Sequence, residues 1–458
     1  MTITVPRRIR SAAPPPTSDD GAAARKGRIG LVVAASLLSG PVGALILTLG
    51  VFAGASEHVI TGSALLAFAA SWAMLAGLST RWTSQPQRWA LLPAGYLAAV
   101  GTGLLVLAPS SATLTAAGWL WPVGLVALTA WIVIRSRRSL RSRSRRWLLY
   151  PVCALMALAA VGGSVETVLE SVSRPTPSAG RTYDVAGHRM YLRCEGTGSP
   201  TVLLSNGAGE RSSSWAWITP AVARDTRVCS YDRAGQGWSD SAGPQDGVAL
   251  ATDLHTLLRV AQVPGPYLLA GHSVGGVYNM TFAARYPDET AGMVLLDSAT
   301  PDQFALPSYP GVYYLWRRAS SILPSLARLG AVRVSSGTAF GGLPARPRSD
   351  ERAFASDPGT LRGQDEEWAQ LPTAFTQARA LHDFGAKPLI VLTAGRGAQT
   401  GWFAAQDKLA ALSTNAAHRT LMAASHSALL EEEQFAAYSS QAIRDVVTAI
   451  RTGTHVIA

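Results

Sequence analysis

Five apolar stretches of near-spanning length fill the first third of the chain: Ile29 to Ala53, Ile60 to Thr80, Trp89 to Ala108, Ala112 to Ile134 and Trp147 to Gly163. None holds a charged residue, and none shows the polar face at helical spacing that a soluble bundle needs. About 20 apolar residues cross a bilayer as a helix. Pro41, Pro93 and Pro122 fall inside the runs, where membrane helices tolerate them. The pattern predicts five membrane-spanning helices. From about Arg181 it changes to short apolar strands alternating with longer helical patterns, which predicts a mostly parallel sheet covered by helices. Eight strands are readable: Thr182 to Val185, Arg189 to Cys194, Val202 to Ser205, Arg227 to Tyr231, Tyr267 to Ala270, Met293 to Leu296, Leu389 to Thr393 and Arg419 to Ala423, the first two as a hairpin. Helical patterns run from Val277 to Arg285, Trp402 to Leu412 and Leu429 to Ile450. Between Ser298 and Leu381 there is no strand pattern but many aromatics and prolines, among them Tyr309, Tyr313, Tyr314, Trp316, Pro324 and Trp368.

These changes divide the 458 residues into a tail (1–28), a five-helix transmembrane region (29–170), a linker (171–180) and an α/β domain (181–458). The tail carries Pro14-Pro15-Pro16 and Asp19-Asp20 and is expected to be disordered. Charge sharpens the division. Residues 1–174 hold 16 Lys and Arg against 5 Asp and Glu, and residues 175–458 hold 24 against 24, so the net charge of +11 sits in the first part. Arginines placed between apolar runs speak for topology and anionic lipid contact, not for nucleic-acid binding. The tail (Arg7, Arg8, Arg10, Arg25, Lys26, Arg28), the connection with Arg81 and Arg88, and the loop from Arg135 to Arg146 with its seven arginines alternate with two connections that carry no Lys or Arg. Basic connections stay in the cytoplasm, so the N-terminus is expected inside and the α/β domain outside the cell membrane. In that compartment two of the three cysteines, Cys194 and Cys229, stand on strands of the outer domain, where free thiols and a disulfide are both open; Cys153 lies in the fifth apolar run.

Gly271-His272-Ser273-Val274-Gly275 reads G-x-S-x-G, directly after one predicted strand and directly before a helix. A serine on so tight a turn has its hydroxyl pushed out of the backbone, needs small neighbours, and stands over the positive end of a helix. Ser273 is the candidate nucleophile. A serine hydroxyl needs a base, and the base needs an acid to fix its tautomer. His426 follows the last strand and is the candidate base. His418 precedes that strand in this reading, His188, His255 and His382 belong to a turn or to helices, and His272 is given a packing role.

Ser205-Asn206-Gly207-Ala208-Gly209, then Tyr231-Asp232-Arg233-Ala234-Gly235-Gln236-Gly237-Trp238, then the serine turn, Leu295-Leu296-Asp297 and Ser425-His426 follow one another in an order that resembles the α/β-hydrolase fold family. The likeness covers about residues 181–451. It implies an eight-stranded, mostly parallel sheet with a helical lid at about 298–381, preceded here by the all-α transmembrane region. It also implies an acid after a late strand. The loop after the seventh strand, Ala394 to Trp402, holds no carboxylate. Asp297 at the end of the sixth strand is the leading candidate, with Asp302, Asp407 and no acid at all left open. By the same resemblance the backbone N–H groups of Val274 and Ala208 form the oxyanion hole. Asn206-Gly207 stands where the family commonly has His-Gly, and Asp232, Arg233 and Trp238 are expected to hold the loop after the fourth strand. The family's sheet order sets the second and fourth strands side by side, which implies a Cys194–Cys229 disulfide.

The resulting expectation is a membrane-anchored serine hydrolase acting on an ester, amide or thioester of a small-molecule or lipid-like acyl substrate. A silent ligand-binding or sensory module and an acyltransferase with the same residues are the alternatives. No cofactor or metal is implied, because no His, Cys or carboxylate cluster has ligand spacing.

Overall fold

The computed structural model describes residues 18–140, 146–173, 175–177 and 179–457. The tail through residue 17 and residues 141–145 of the arginine-rich loop lie outside the described residues. The chain divides into two units.

The first unit takes in Thr61–Ala108, Val123–Leu158 and the chain up to Leu47. The helices that contribute to it are Ser18–Leu45, Glu57–Trp82, Leu91–Leu107, Trp121–Ser139 and Tyr150–Ser173. Ile29, Val33, Trp72, Leu75, Leu128 and Ile132 form its buried cluster. Gly62 and Gly101 let two helix backbones touch, since a Cβ on Gly62 would stand 2.9 Å from the Gly101 carbonyl. Leu31, Leu38, Val106, Val123 and Leu155 remain exposed, the outward apolar surface expected of lipid-facing helices. Among the described residues four helices are long and apolar enough to cross a membrane, or five when Ser111–Ala117 and Trp121–Ser139 count as one broken span. The break in the fourth apolar run has local causes. Gly118 ends the short helix, Trp119 N and Leu120 N donate to Ala116 O and Ala117 O in tight turns, and Pro122 supplies the preset first turn of the next helix.

The second unit comprises Thr48–Ile60, Pro109–Pro122 and Ala159–Ala458. Its sheet has eight strands: β1 Arg181–Val185, β2 His188–Glu195, β3 Thr201–Ser205, β4 Val228–Tyr231, β5 Tyr267–His272, β6 Thr290–Leu296, β7 Leu389–Ala394 and β8 Ala416–Leu421. Their order is β1-β2-β4-β3-β5-β6-β7-β8. β2 runs antiparallel to both β1 and β4, and β4, β3, β5, β6, β7 and β8 are mutually parallel. Alternate residues of the central strands feed two cores. Leu203, Leu269, Leu295 and Val391 pack with Leu254, Met280 and Phe375 on one face. Val202, Leu268, Val294 and Ile390 pack with Ile218, Ile443 and Val446 on the other. Cys194 and Cys229 stand opposite each other across β2 and β4 and form a disulfide. β8 begins three residues earlier than its apolar pattern, because Ala416, Ala417 and His418 pair with Leu389, Ile390 and Val391; His418 lies within the strand, not before it.

Between β6 and β7 the chain is helical: Tyr309–Ser320, Leu323–Arg328, Ala331–Ser336, Ala345–Ser356 and Pro358–Ala378. Phe304 packs edge to face on Tyr309, Tyr313 and Phe375, and Tyr309 on Phe375, so these aromatics join the segment to the core on the Leu203 face of the sheet. Buried ion pairs hold it within its unit. Arg211 pairs with Glu351 at 2.8 Å, Arg328 with Glu57 at 2.5 Å and Arg333 with Glu166 at 2.5 Å.

Candidate active site

All six parallel strands end at one edge of the sheet, so the loops that follow β3, β5, β6 and β8 gather there. After β5 the chain turns at Ser273, with φ 55° and ψ −127°, and enters helix Val274–Arg285. A side chain in this region costs strain of order 1–3 kcal/mol, and the turn is held by neighbours that offset it. Ser273 N donates to Leu296 O at 3.1 Å, and Ser273 O accepts from Ala299 N at 3.0 Å. Only glycine fits the next turn of helix: a Cβ on Gly275 would lie 2.2 Å from Ser205 O, and one on Gly276 would lie 2.0 Å from Ser298 Oγ.

After β6, Asp297 adopts φ 41° and donates its N–H to Leu392 O at 2.7 Å. Its buried carboxylate collects three donors. Oδ1 accepts from Ala394 N at 3.1 Å and from Trp402 Nε1 at 2.8 Å, and Oδ2 accepts from His426 Nδ1 at 2.6 Å. Burial alone would push this carboxyl up, but the hydrogen bonds from His426 and Trp402 and the imidazole's charge outweigh it and hold Asp297 below its ordinary value. His426 follows β8 and is half exposed. Among the described residues no hydrogen bond joins Ser273 Oγ to His426, a contact that free enzymes commonly leave loose. The other two carboxylates go elsewhere. Asp302 is exposed and pairs with Arg379 at 3.1 Å; Asp407 is exposed and pairs with His418 Nδ1 at 2.7 Å. An open groove of about 380 Å³ holds Asp302 and Arg379 in its wall, and none of Ser273, Asp297 and His426 lines it.

The loop after β3 lies against Ser273, where a Cβ on Gly207 would stand 3.0 Å from Ser273 Cβ. Neither Ala208 N nor Val274 N donates to a protein acceptor among the described residues. Asn206 is locked: its Nδ2 donates to Tyr231 O at 2.9 Å and its Oδ1 accepts from Trp215 Nε1 at 2.7 Å. Arg233 donates to Asn206 O at 2.6 Å and Gly207 O at 2.8 Å while pairing with Glu367 at 2.7 Å. Asp232 accepts from Ser212 N and Trp238 N, which ties the loops after β3 and β4 together.

Two polar contacts had no signal in the sequence. Trp402, read as the start of a helix, reaches Asp297. His272, read as packing, is paired with Glu210, whose Oε1 lies 2.7 Å from His272 Nδ1. Glu210 stands in a loop of small and polar residues, and no local pattern links it to β5. Among the described residues no group of three or more His, Cys, Asp or Glu side chains is arranged to hold a metal ion.

The strand order, the serine turn between β5 and its helix, and the histidine after β8 together define an α/β hydrolase. The chain belongs to the alpha/beta hydrolase fold family, whose profile matches residues 200–433. Among curated proteins, it is 45% identical over 84 residues to the uncharacterized protein C23C11.06c of Schizosaccharomyces pombe, covering 18% of this chain and 16% of that one. It is 26% identical over 151 residues to the uncharacterized Bacillus subtilis protein YbdG, covering 32% and 46%. The matched stretches thus span less than half of these relatives' own lengths. Among solved structures, the enol-lactonase from Burkholderia xenovorans LB400 is similar at 20% identity and a TM-score of 0.43, over 58% of this chain and 100% of that one.

Proposed function

We propose that the chain is a membrane-anchored serine hydrolase that cleaves an ester, and by the same chemistry an amide or thioester, through an acyl-Ser273 intermediate. One observation carries the reading. Ser273 stands on a positive-φ turn at the sheet edge where Asp297, from the adjoining parallel strand, holds His426 Nδ1 at 2.6 Å. With its proton on Nδ1, the imidazole keeps Nε2 as the base. Nε2 takes the hydroxyl proton as Ser273 Oγ bonds to the acyl carbon, and Asp297 stabilises the imidazolium that forms. The unengaged N–H groups of Ala208 and Val274 receive the developing oxyanion. Collapse breaks the bond to the leaving group, which departs with the proton from His426. Water then gives a proton to His426 and attacks the acyl carbon, and Ser273 leaves with that proton, releasing the acid.

The substrate is a small-molecule or lipid-like acyl compound. A serine nucleophile forms an acyl ester and not the alkyl ester of an aspartate nucleophile, so dehalogenation is disfavoured. The exposed apolar helices and the alternation of arginines between them support anchoring in the cell membrane with the hydrolase part outside. The Cys194–Cys229 disulfide fits that oxidising side. A fluorophosphonate probe tests the chemistry: it labels the folded wild type and spares Ser273→Ala. A folded wild type that resists the probe overturns the reading in favour of a silent binding module, and acyl products formed with added acceptors assign the chain to acyl transfer.

A further inference from the structure

Beneath the nucleophile lies a second carboxylate–imidazole pair that the mechanism above does not use. His272 is fully buried, and its ring centroid is 4.4 Å from that of His426. Its Nε2 lies 2.9 Å from the main-chain carbonyl oxygen of His426, and its Nδ1 lies 2.7 Å from Glu210 Oε1, along a line too bent for a hydrogen bond and so held as an ion pair. The other oxygen of Glu210 accepts from Gly207 N at 2.6 Å. A carbonyl oxygen only accepts, so Nε2 carries a hydrogen. An ionised carboxylate oxygen 2.7 Å from Nδ1 is repelled by a lone pair there and attracted by a charged ring, so the ion pair favours a hydrogen on Nδ1 as well. An amide N–H on the carboxylate favours its ionised form, which leaves both protons on the ring. Burial alone would neutralise both partners. Their mutual charge, with the Gly207 amide on one and the His426 carbonyl on the other, outweighs it: His272 is held above its ordinary value and Glu210 below.

We propose that Glu210 and His272 form a standing carboxylate–imidazolium pair that positions both halves of the site, Glu210 by fixing the Gly207 amide beside Ala208 and His272 by fixing the main chain of His426. The proposal rests on the serine-hydrolase reading, and both are positioning residues, since neither touches the reacting atoms. The other charged groups facing the pair are His426, Asp297, Arg233 and Glu431, the last pushed up to about 7 by burial and by the charge of Glu210. Because the pair is neutral as a whole, it fixes both loops without setting a net charge against the imidazolium that forms on His426. Removing only the His272 cation leaves the Glu210 anion facing His426 and stabilises its protonated form.

The test uses the full chain in detergent. With 15N-labelled histidine, assigned through His272→Gln, both ring nitrogens of His272 are protonated at pH 7 in the wild type, and one loses its proton in Glu210→Gln. A wild-type His272 with an unprotonated nitrogen overturns the proposal, whether or not any variant folds. In kinetics with p-nitrophenyl butyrate, His272→Gln lowers kcat on the order of 10- to 100-fold, leaves KM within about twofold, and moves the acid limb of kcat/KM to higher pH. The double variant Glu210→Gln/His272→Gln returns that limb toward the wild type. A limb that stays in place in His272→Gln, or that stays displaced in the double variant, overturns the proposal. Failure of the wild type to react with fluorophosphonate overturns the hydrolase reading instead, and the NMR result is independent of turnover.

Discussion

At Asp297 one carboxylate serves two kinds of donor. Oδ1 is taken by Ala394 N and Trp402, and Oδ2 is left for His426. Asp297→Asn separates these duties. The amide oxygen can still accept from Trp402 and Ala394, while the NH2 group turns toward His426 and forces the wrong tautomer. Folding measured by circular dichroism is therefore retained, and kcat for an ester falls by about 10⁴-fold. Asp302→Asn and Asp407→Asn, whose partners are Arg379 and His418, keep kcat near the wild-type value. The Glu210–His272 pair gives stability its own pH window. His272, raised above 6.5 in the folded chain, contributes fully below 6.5 and loses its contribution as pH rises through the folded value. Glu210, held below 4.5, contributes above 4.5 and loses its contribution as pH falls through the folded value. Denaturant melts of wild type and Glu210→Gln/His272→Gln therefore differ most between pH 4.5 and 6.5 and converge on either side. Equal differences across the range would remove the pair as a source of stability. The places of Ser273 and His426 at the sheet edge were legible because each stands in a local pattern, a tight turn or a strand end. Glu210 was not, because nothing in a loop of Gly, Ala, Glu, Arg and Ser specifies a partner on a strand far along the chain.

Among the elements, the buried central strands were the most readable, since a strand covered on both faces is a continuous apolar run. β3, β5, β6 and β7 all carry such runs. β8, at the sheet edge, is only partly buried and carries His418 and Arg419, so its apolar signal starts late. The same weakness applied to the fourth apolar run, where composition is uniform but the turns from Gly118 to Leu120 and Pro122 divide it into two helices. Side-chain composition sets the run, and backbone hydrogen bonding sets its ends. The disulfide is an element-scale device: it joins β2 to β4 across the antiparallel pair and closes a separation of 35 residues that holds β3 and the loop beside Ser273. On chain entropy a loop of that length is worth about 3–4 kcal/mol. Cys194→Ala/Cys229→Ala is thus expected to lower the denaturant midpoint of the hydrolase unit by that free energy, and the wild type under reducing conditions should match it. Coincident midpoints with and without reductant would leave the bond without a stabilising role.

For the whole molecule, the proposed topology follows from where the arginines stand and not from the fold, because an α/β hydrolase sheet folds equally well on either side of a membrane. The net charge of +11 is concentrated ahead of residue 175, while the second part is neutral. If lipid and membrane potential set the orientation, the connections in order alternate between those with Lys or Arg and those without, starting and ending with basic ones, and an odd number of crossings leaves the hydrolase part outside. The broken fourth run is the weak point of that count, since four crossings in place of five would keep the C-terminal part with the N-terminus. Single cysteines resolve it. In a Cys153→Ser background, with Cys194 and Cys229 held in their disulfide, exposed positions report their own side of the membrane. A membrane-impermeant maleimide applied to intact cells is expected to label His455→Cys and to label Arg81→Cys only after permeabilisation. Both positions are exposed, so access depends on the membrane and not on burial. Protection of both in intact cells would mean four crossings and a cytoplasmic hydrolase, and the disulfide would then be reduced in the cell. Labelling of His455→Cys alone would put Ser273 and its partners on the outer side, where an acyl substrate reaches them from the medium or the outer leaflet.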